Sequence, residues 1–177
     1  DELLRYNGAL QGICTESMYQ GALKGISENN LGITEDQIVA TFHNVNGGIR
    51  SDIEQGEITY GTVYNPFPFD NEIVLFKVRG SAFKSKASKY GSYAVRRVFA
   101  DMDEIEPAKD YYIVLTDFLA LSSNYFGGIF NIEESQLIRT GKVVRDEVAH
   151  FIYKTDKIVG DKYLPTVAPY RTIIQIF

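Results

Sequence analysis

Apolar residues recur along this chain in two rhythms, one near 3.6 and one in short continuous runs, and their alternation predicts helices interleaved with strands. From Leu10 to about Ile26 the positions Leu10, Ile13, Cys14, Tyr19, Leu23 and Ile26 fall near helical spacing. Gly12, Gly21 and Gly25 interrupt that stretch, each at a cost of about 1 kcal/mol relative to alanine. Ile38–His43 is an apolar run that ends in the glycine turn Asn46-Gly-Gly-Ile-Arg50, the pattern of a buried strand. Thr59 is placed as the N-cap of a short helix that buries Val63 and Tyr64. Glu72–Val78 reads as a strand closed by Gly80, followed by a helix over Ser81–Tyr90 and strands at Tyr93–Phe99 and Tyr111–Leu115. From Gly141 to about Lys154, Val143, Val144, Val148, Phe151 and Ile152 share one helical face, and a last strand is expected at Thr172–Phe177. Together these predict an α+β (α/β-like) fold: a mixed β-sheet flanked by helices, in one domain over residues 1–177.

Composition narrows the function classes. With 177 residues, 45% of them hydrophobic, the chain supports one well-buried core. It contains no run of about eighteen apolar residues and no basic, apolar leader, so neither a membrane span nor a targeting signal is expected in it. A net charge of −5 with dispersed lysines and arginines argues against a nucleic-acid partner, whose phosphates require a cationic stripe. One or two local arginines still suffice for a small anion. Cys14 is the only cysteine, which excludes an intrachain disulfide, and Cys14, His43 and His150 lack the close pair spacing of a zinc or di-metal site. No metal or other cofactor is therefore expected to be bound by this chain.

Three segments have the chemistry of a pocket wall. In Asn46-Gly47-Gly48-Ile49-Arg50, the glycines permit close approach to bare backbone and Arg50 offers a charged, planar fork to phosphate or ribose oxygens; the same residues also make an ordinary turn. In Asn65-Pro-Phe-Pro-Phe-Asp-Asn71, two prolines stiffen a loop presenting Phe67 and Phe69, which are either stacking surfaces for a planar base or core anchors. Thr116-Asp117-Phe118-Leu119-Ala120 ends a strand and is followed by a small polar loop, Leu121–Tyr125, a usual ligand position in α/β proteins.

The order of these segments resembles the C-terminal domain of the 5′-nucleotidase family, which includes UDP-sugar hydrolases. The family pattern runs N-G-G-G-I-R, G-x-I-T/S-Y, P-F-G-N and D/N-F-x-A-x-G-G-D-G-Y/F. Here the matching residues are Asn46–Arg50, Gly56–Tyr60, Pro68–Asn71 and Asp117–Ala120, within a looser likeness over residues 10–177. The resemblance implies the family's C-terminal domain fold, in which the substrate's base is held between two phenylalanines. It implies Phe69 and Phe118 as those two rings, Arg50 as the contact to ribose and phosphate, and Asn71 at the base edge. Asn46 and Gly48 would meet the substrate from the turn, and Asn124 stands where the family has an aspartate for the ribose hydroxyls. It further implies a nucleoside or nucleotide as ligand and a metallophosphoesterase domain as partner, holding the divalent metal pair. That N-terminal domain is expected to be absent from this chain. The family's compartments are the periplasm, the cell surface or the exterior.

The chain departs from the pattern in three places. Leu121–Tyr125 lacks the G-G-D-G glycines and aspartate, Ile13–Tyr19 lacks the arginine that precedes a similar stretch in the family, and the segment between Gly91 and Asp110 is shorter. These departures leave an alternative, a non-catalytic domain kept as an interaction or scaffold module. A free-standing acid–base enzyme ranks third. Asp52, Glu54, Glu57, Asp101, Asp103 and Glu104 sit in polar stretches, His150 reads as a surface residue, and His43 has no nameable partner.

Overall fold

A computed structural model describes residues 8–155 apart from positions 45, 55 and 100, so the expected strand at Thr172–Phe177 lies outside the described residues. The first helix, α1 (Ala9–Glu28), is followed by β1 (Ile38–Asn44), α2 (Tyr60–Tyr64), β2 (Glu72–Arg79) and α3 (Gly80–Ser85). Then come β3 (Tyr93–Arg97), β4 (Asp110–Thr116), the one-turn helices α4 (Asp117–Leu121) and α5 (Phe126–Phe130), β5 (Leu137–Val143) and α6 (Val144–Tyr153). The strands form one mixed sheet in the order β3-β1-β4-β2-β5, with β1 and β4 parallel and the other pairs antiparallel. β1 is buried along its whole length, as its continuous apolar run demands.

Each face of the sheet carries its own core. On one face Leu10, Ile13, Met18 and Ala22 of α1 and Val148 and Ile152 of α6 close over Ile38, Ile73, Leu75 and Val114. On the other, Phe83, Leu119 and Phe126 pack on Phe42, Val74, Ile113 and Leu115. Aromatic rings dominate this second core: Phe126 lies 4.8 Å from Phe42, 4.8 Å from Tyr93 and 5.9 Å from Tyr90, the last nearly parallel.

The helix interruption at Gly25 has a packing reason. A Cβ there would sit 2.6 Å from Thr140 Cβ and 2.9 Å from its carbonyl oxygen, so this glycine lets α1 approach β5 closely. The same contact is fixed by Asn29, whose amide donates to the Thr140 carbonyl at 3.1 Å.

The structure corrects the sequence reading at several elements, among them the helix expected over Ser81–Tyr90, which is α3 followed by a 3-10 turn over Ala87–Ser92. Leu137–Val143 is a strand, and the last helix begins at Val144 rather than Gly141. Gly141, at φ +71, belongs to a register shift in β5, where Ile73 pairs with Lys142 and Val74 with Arg139. The expected polar loop after β4 is partly helical, with Thr116 capping α4 by accepting from Leu119 N–H at 3.0 Å. The Thr59 cap is present as expected and accepts from Thr62 N–H at 3.2 Å, and its helix buries Val63, but Tyr64, expected to be buried too, stays exposed.

Candidate functional site

Sheet topology gathers the site segments at one end of the molecule. Because β1 and β4 are parallel, their C-terminal ends point the same way. β2 runs against β4 with Ile73 opposite Thr116, so the loop leading into β2 stands beside the segment leaving β4. β5 runs against β2 with Val143 opposite Glu72, which brings the start of α6 to the same edge. The Asn46–Arg50 turn, the Asn65–Asn71 loop, the Asp117–Tyr125 segment and Arg145 therefore share the carboxyl end of β1, β4 and β5, the usual ligand side of such sheets.

The turn after β1 is built on a buried histidine. His43 is 1% exposed, and its Nδ1 lies 3.1 Å from Gln11 Oε1. Gln11 Nε2 donates to the Asn44 carbonyl at 3.4 Å, leaving Oε1 to accept, so Nδ1 carries the proton. Burial pushes the His43 pKa down to about 4, against a smaller opposing effect of the Asn44 backbone, so the ring is neutral at physiological pH. Gly48 packs against this ring: a Cβ there would lie 2.5 Å from His43 Cε1 and 2.6 Å from Asn44 Oδ1. Gly47 turns the chain at φ +77, and Asn44 Nδ2 donates to the exposed Asn46's carbonyl at 2.9 Å. Arg50 emerges exposed, its backbone N–H fixed to the Pro66 carbonyl at 2.9 Å.

That bond ties the turn to the proline loop, where the two phenylalanines separate. Phe67 is 3% exposed and anchors the loop in the α1 core, while Phe69 is 42% exposed with the Arg50 guanidinium 5.9 Å from its ring centroid. Asn71 is half-buried, and its carbonyl accepts from Val144 N–H at 3.0 Å. Across the β2–β4 pair, Asp117 Oδ1 accepts from Glu72 N–H at 3.1 Å and from Phe118 N–H at 2.8 Å, which couples the proline loop to the start of α4. Phe118 is 48% exposed and leans on Tyr125, centroids 5.4 Å apart. Asn124 lies exposed between α4 and α5.

Sequence reasoning missed Arg145. It is 9% exposed; Nε donates to the Tyr60 hydroxyl at 3.0 Å, Nη1 to the Phe67 carbonyl at 3.3 Å, and Nη2 pairs with Asp70 Oδ1. Its guanidinium also stands over the Tyr64 ring at 4.7 Å. The Tyr60 hydroxyl and the Asp70 carboxylate together hold the guanidinium proton more tightly than usual. One signal was readable: a cation at the second residue of a helix opposes the helix dipole, so an arginine placed there calls for acceptors from elsewhere in the fold.

The remaining candidates disperse. His150, Glu54, Glu57, Asp101, Asp103 and Glu104 are exposed, and Asp52 is half-buried. Among the described residues no three His, Cys, Asp or Glu side chains are grouped to hold a metal ion, and no helix is long and apolar enough to cross a membrane.

Comparisons with known proteins agree with this architecture. The sequence model of the family described as 5′-nucleotidase, C-terminal domain, matches residues 34–92, a stretch that contains Arg50, Phe69 and Asn71 but stops before Phe118. A 5′-nucleotidase precursor from Thermus thermophilus aligns over 86% of this chain with a TM-score of 0.60 and 18% identity. The NAD nucleotidase of Haemophilus influenzae aligns over 82% with a TM-score of 0.58, also at 18% identity. The alignments cover 34% and 30% of those proteins, so this chain spans about a third of their length. A search of curated proteins gives no match. Residues 34–92 are thus similar to the 5′-nucleotidase C-terminal family, and the mixed sheet flanked by helices is the fold of that domain.

Proposed function

We propose that this single domain recognises a nucleoside or nucleotide by stacking its base between Phe69 and Phe118, for a hydrolase whose metal-dependent chemistry resides in a metallophosphoesterase partner. The observation that carries the reading is the exposure of two large apolar rings, 42% and 48%, on adjacent segments joined through Asp117. An aromatic face left partly in water gains little for folding and is suited to a planar ligand. Arg50, already against Phe69, would reach ribose or phosphate oxygens. Asn71 would meet the base edge, Asn46 and Gly48 would shape the turn, and Asn124 would take the ribose side. Asparagine offers one acceptor and two donors there, without the charged acceptor pair that favours a cis-diol. Phosphoester hydrolysis needs a metal-activated water, which the partner's divalent metal pair would supply. By likeness to the family, the setting would be the periplasm, cell surface or exterior.

Calorimetric titration with adenosine, AMP, UDP-glucose and NAD, the last suggested by the Haemophilus relative, tests the reading. Saturable heat that Phe69→Ala and Phe118→Ala each weaken by about tenfold is expected, from stacking worth about 1–3 kcal/mol per base. No heat from the folded wild type would sink it. That result would favour the second reading, a scaffold or interaction module, for which the mostly exposed Leu121–Asn124 segment without the family's glycines is the supporting observation.

A further inference from the structure

We propose that Arg145 is the positioning residue of the base clamp, holding Phe69 as a preformed platform by gripping its loop on both sides. The inference rests on the reading that Phe69 stacks on the ligand. Arg145 Nη1 takes the Phe67 carbonyl and Nη2 the Asp70 carboxylate, so one guanidinium spans the two ends of the Phe67-Pro-Phe-Asp70 segment that presents the ring. Nε takes the Tyr60 hydroxyl, which donates its own proton to Asp146 Oδ1 at 2.6 Å. The acceptors on Phe67, Asp70 and Tyr60 all belong to α2 and its following loop; none belongs to the sheet.

Burial of Arg145 thus ties the loop that presents Phe69 to its own anchor at Phe67. The Asp70 carboxylate is 80% exposed and touches Arg145 at the rim of the site, where a purely fold-holding pair would be enclosed. With Pro66 and Pro68 already restricting the backbone, a fork grasping either side of Phe69 removes the freedom that ligand binding would otherwise have to freeze. A lysine reaches one of the three acceptors and leaves the others to water.

The chain contains no tryptophan, so Phe69→Trp installs a single fluorescent reporter at the platform itself. In that background Arg145→Met, Arg145→Lys and Asp70→Ala are compared by tryptophan anisotropy, by quenching with adenosine and by thermal unfolding. Free movement of the loop is expected to lower the anisotropy in all three and to weaken adenosine about three- to tenfold, as expected for one or two unfrozen side chains. Lysine should not rescue, because the fork and not the charge does the holding. Equal anisotropy with and without Arg145 overturns the proposal. Should Arg145→Met fail to fold, Asp70→Ala, at an exposed carboxylate, carries the same test. If adenosine fails to quench the reporter while the anisotropies differ, the base-stacking reading fails and the positioning role stands.

Discussion

His43 makes the stability of the protein depend on pH below neutrality. Its folded pKa is about 4, against 6.5 in an unfolded chain, because the buried ring cannot be charged without losing solvation. Above the unfolded value both states are neutral and the histidine contributes no pH dependence. As pH falls from about 6.5 to 4, the unfolded chain takes up a proton that the folded protein refuses, and stability is lost at up to about 1.4 kcal/mol per pH unit. At about pH 5 the accumulated loss is roughly 2 kcal/mol, a sizeable part of a marginal folding free energy. The carboxyls of Glu28, Asp36 and Asp110, held below their usual range by Lys142, Thr34 and Arg79 respectively, shed stability only lower on the scale. The assay is urea denaturation of wild type and His43→Gln at about pH 7.5 and about pH 5. Wild type should lose about 2 kcal/mol more than the variant between the two conditions, since all other titrating groups are common to both. Parallel losses would refute a neutral, buried His43 beneath the glycine turn.

Two substitutions test the local architecture. Gly48→Ala should destabilise by about 1–3 kcal/mol in urea denaturation, because its methyl must displace His43 Cε1 or the Asn44 oxygens from within 2.7 Å; unchanged stability would mean that the turn yields easily. Asp117→Ala strands the Glu72 and Phe118 N–H groups and should cost about 1–2 kcal/mol, whereas Asp117→Asn keeps an acceptor and should cost less; equal losses would contradict the bonding assigned to Oδ1.

Much of the fold was legible because β1, β2 and β4 are continuous apolar runs, which only central strands require. The edge strand β5 was not, since Leu137-Ile-Arg-Thr-Gly-Lys-Val is mostly half-exposed and its glycine bulge breaks the alternation. α4 and α5 have five residues each, too few for a helical period to register. At the site, Phe67 and Phe69 were indistinguishable on paper, two residues apart in one loop; burial of 67 and exposure of 69 are decided by the fold. Arg145 lay furthest from view because its partners Asp70, Phe67 and Tyr60 are 75, 78 and 85 residues away in sequence.

The openness of the clamp bears on what it can do alone. Both rings are nearly half-exposed, so a base between them would remain partly wet, and stacking of about 1–3 kcal/mol per face corresponds to dissociation constants near millimolar before any cost of association. Preorganisation by Arg145 and one contact from Arg50 would shift that figure modestly, because neither would enclose the ligand. Tight binding needs a cover that excludes water and strengthens each polar contact, which is what a phosphoesterase domain seated on this edge of the sheet would provide. On the proposed reading the two halves would be interdependent: this domain would orient a base that it holds weakly, and the partner would close over it. Affinity well below micromolar in the isolated domain would contradict this division, since two open rings and one exposed arginine do not supply it.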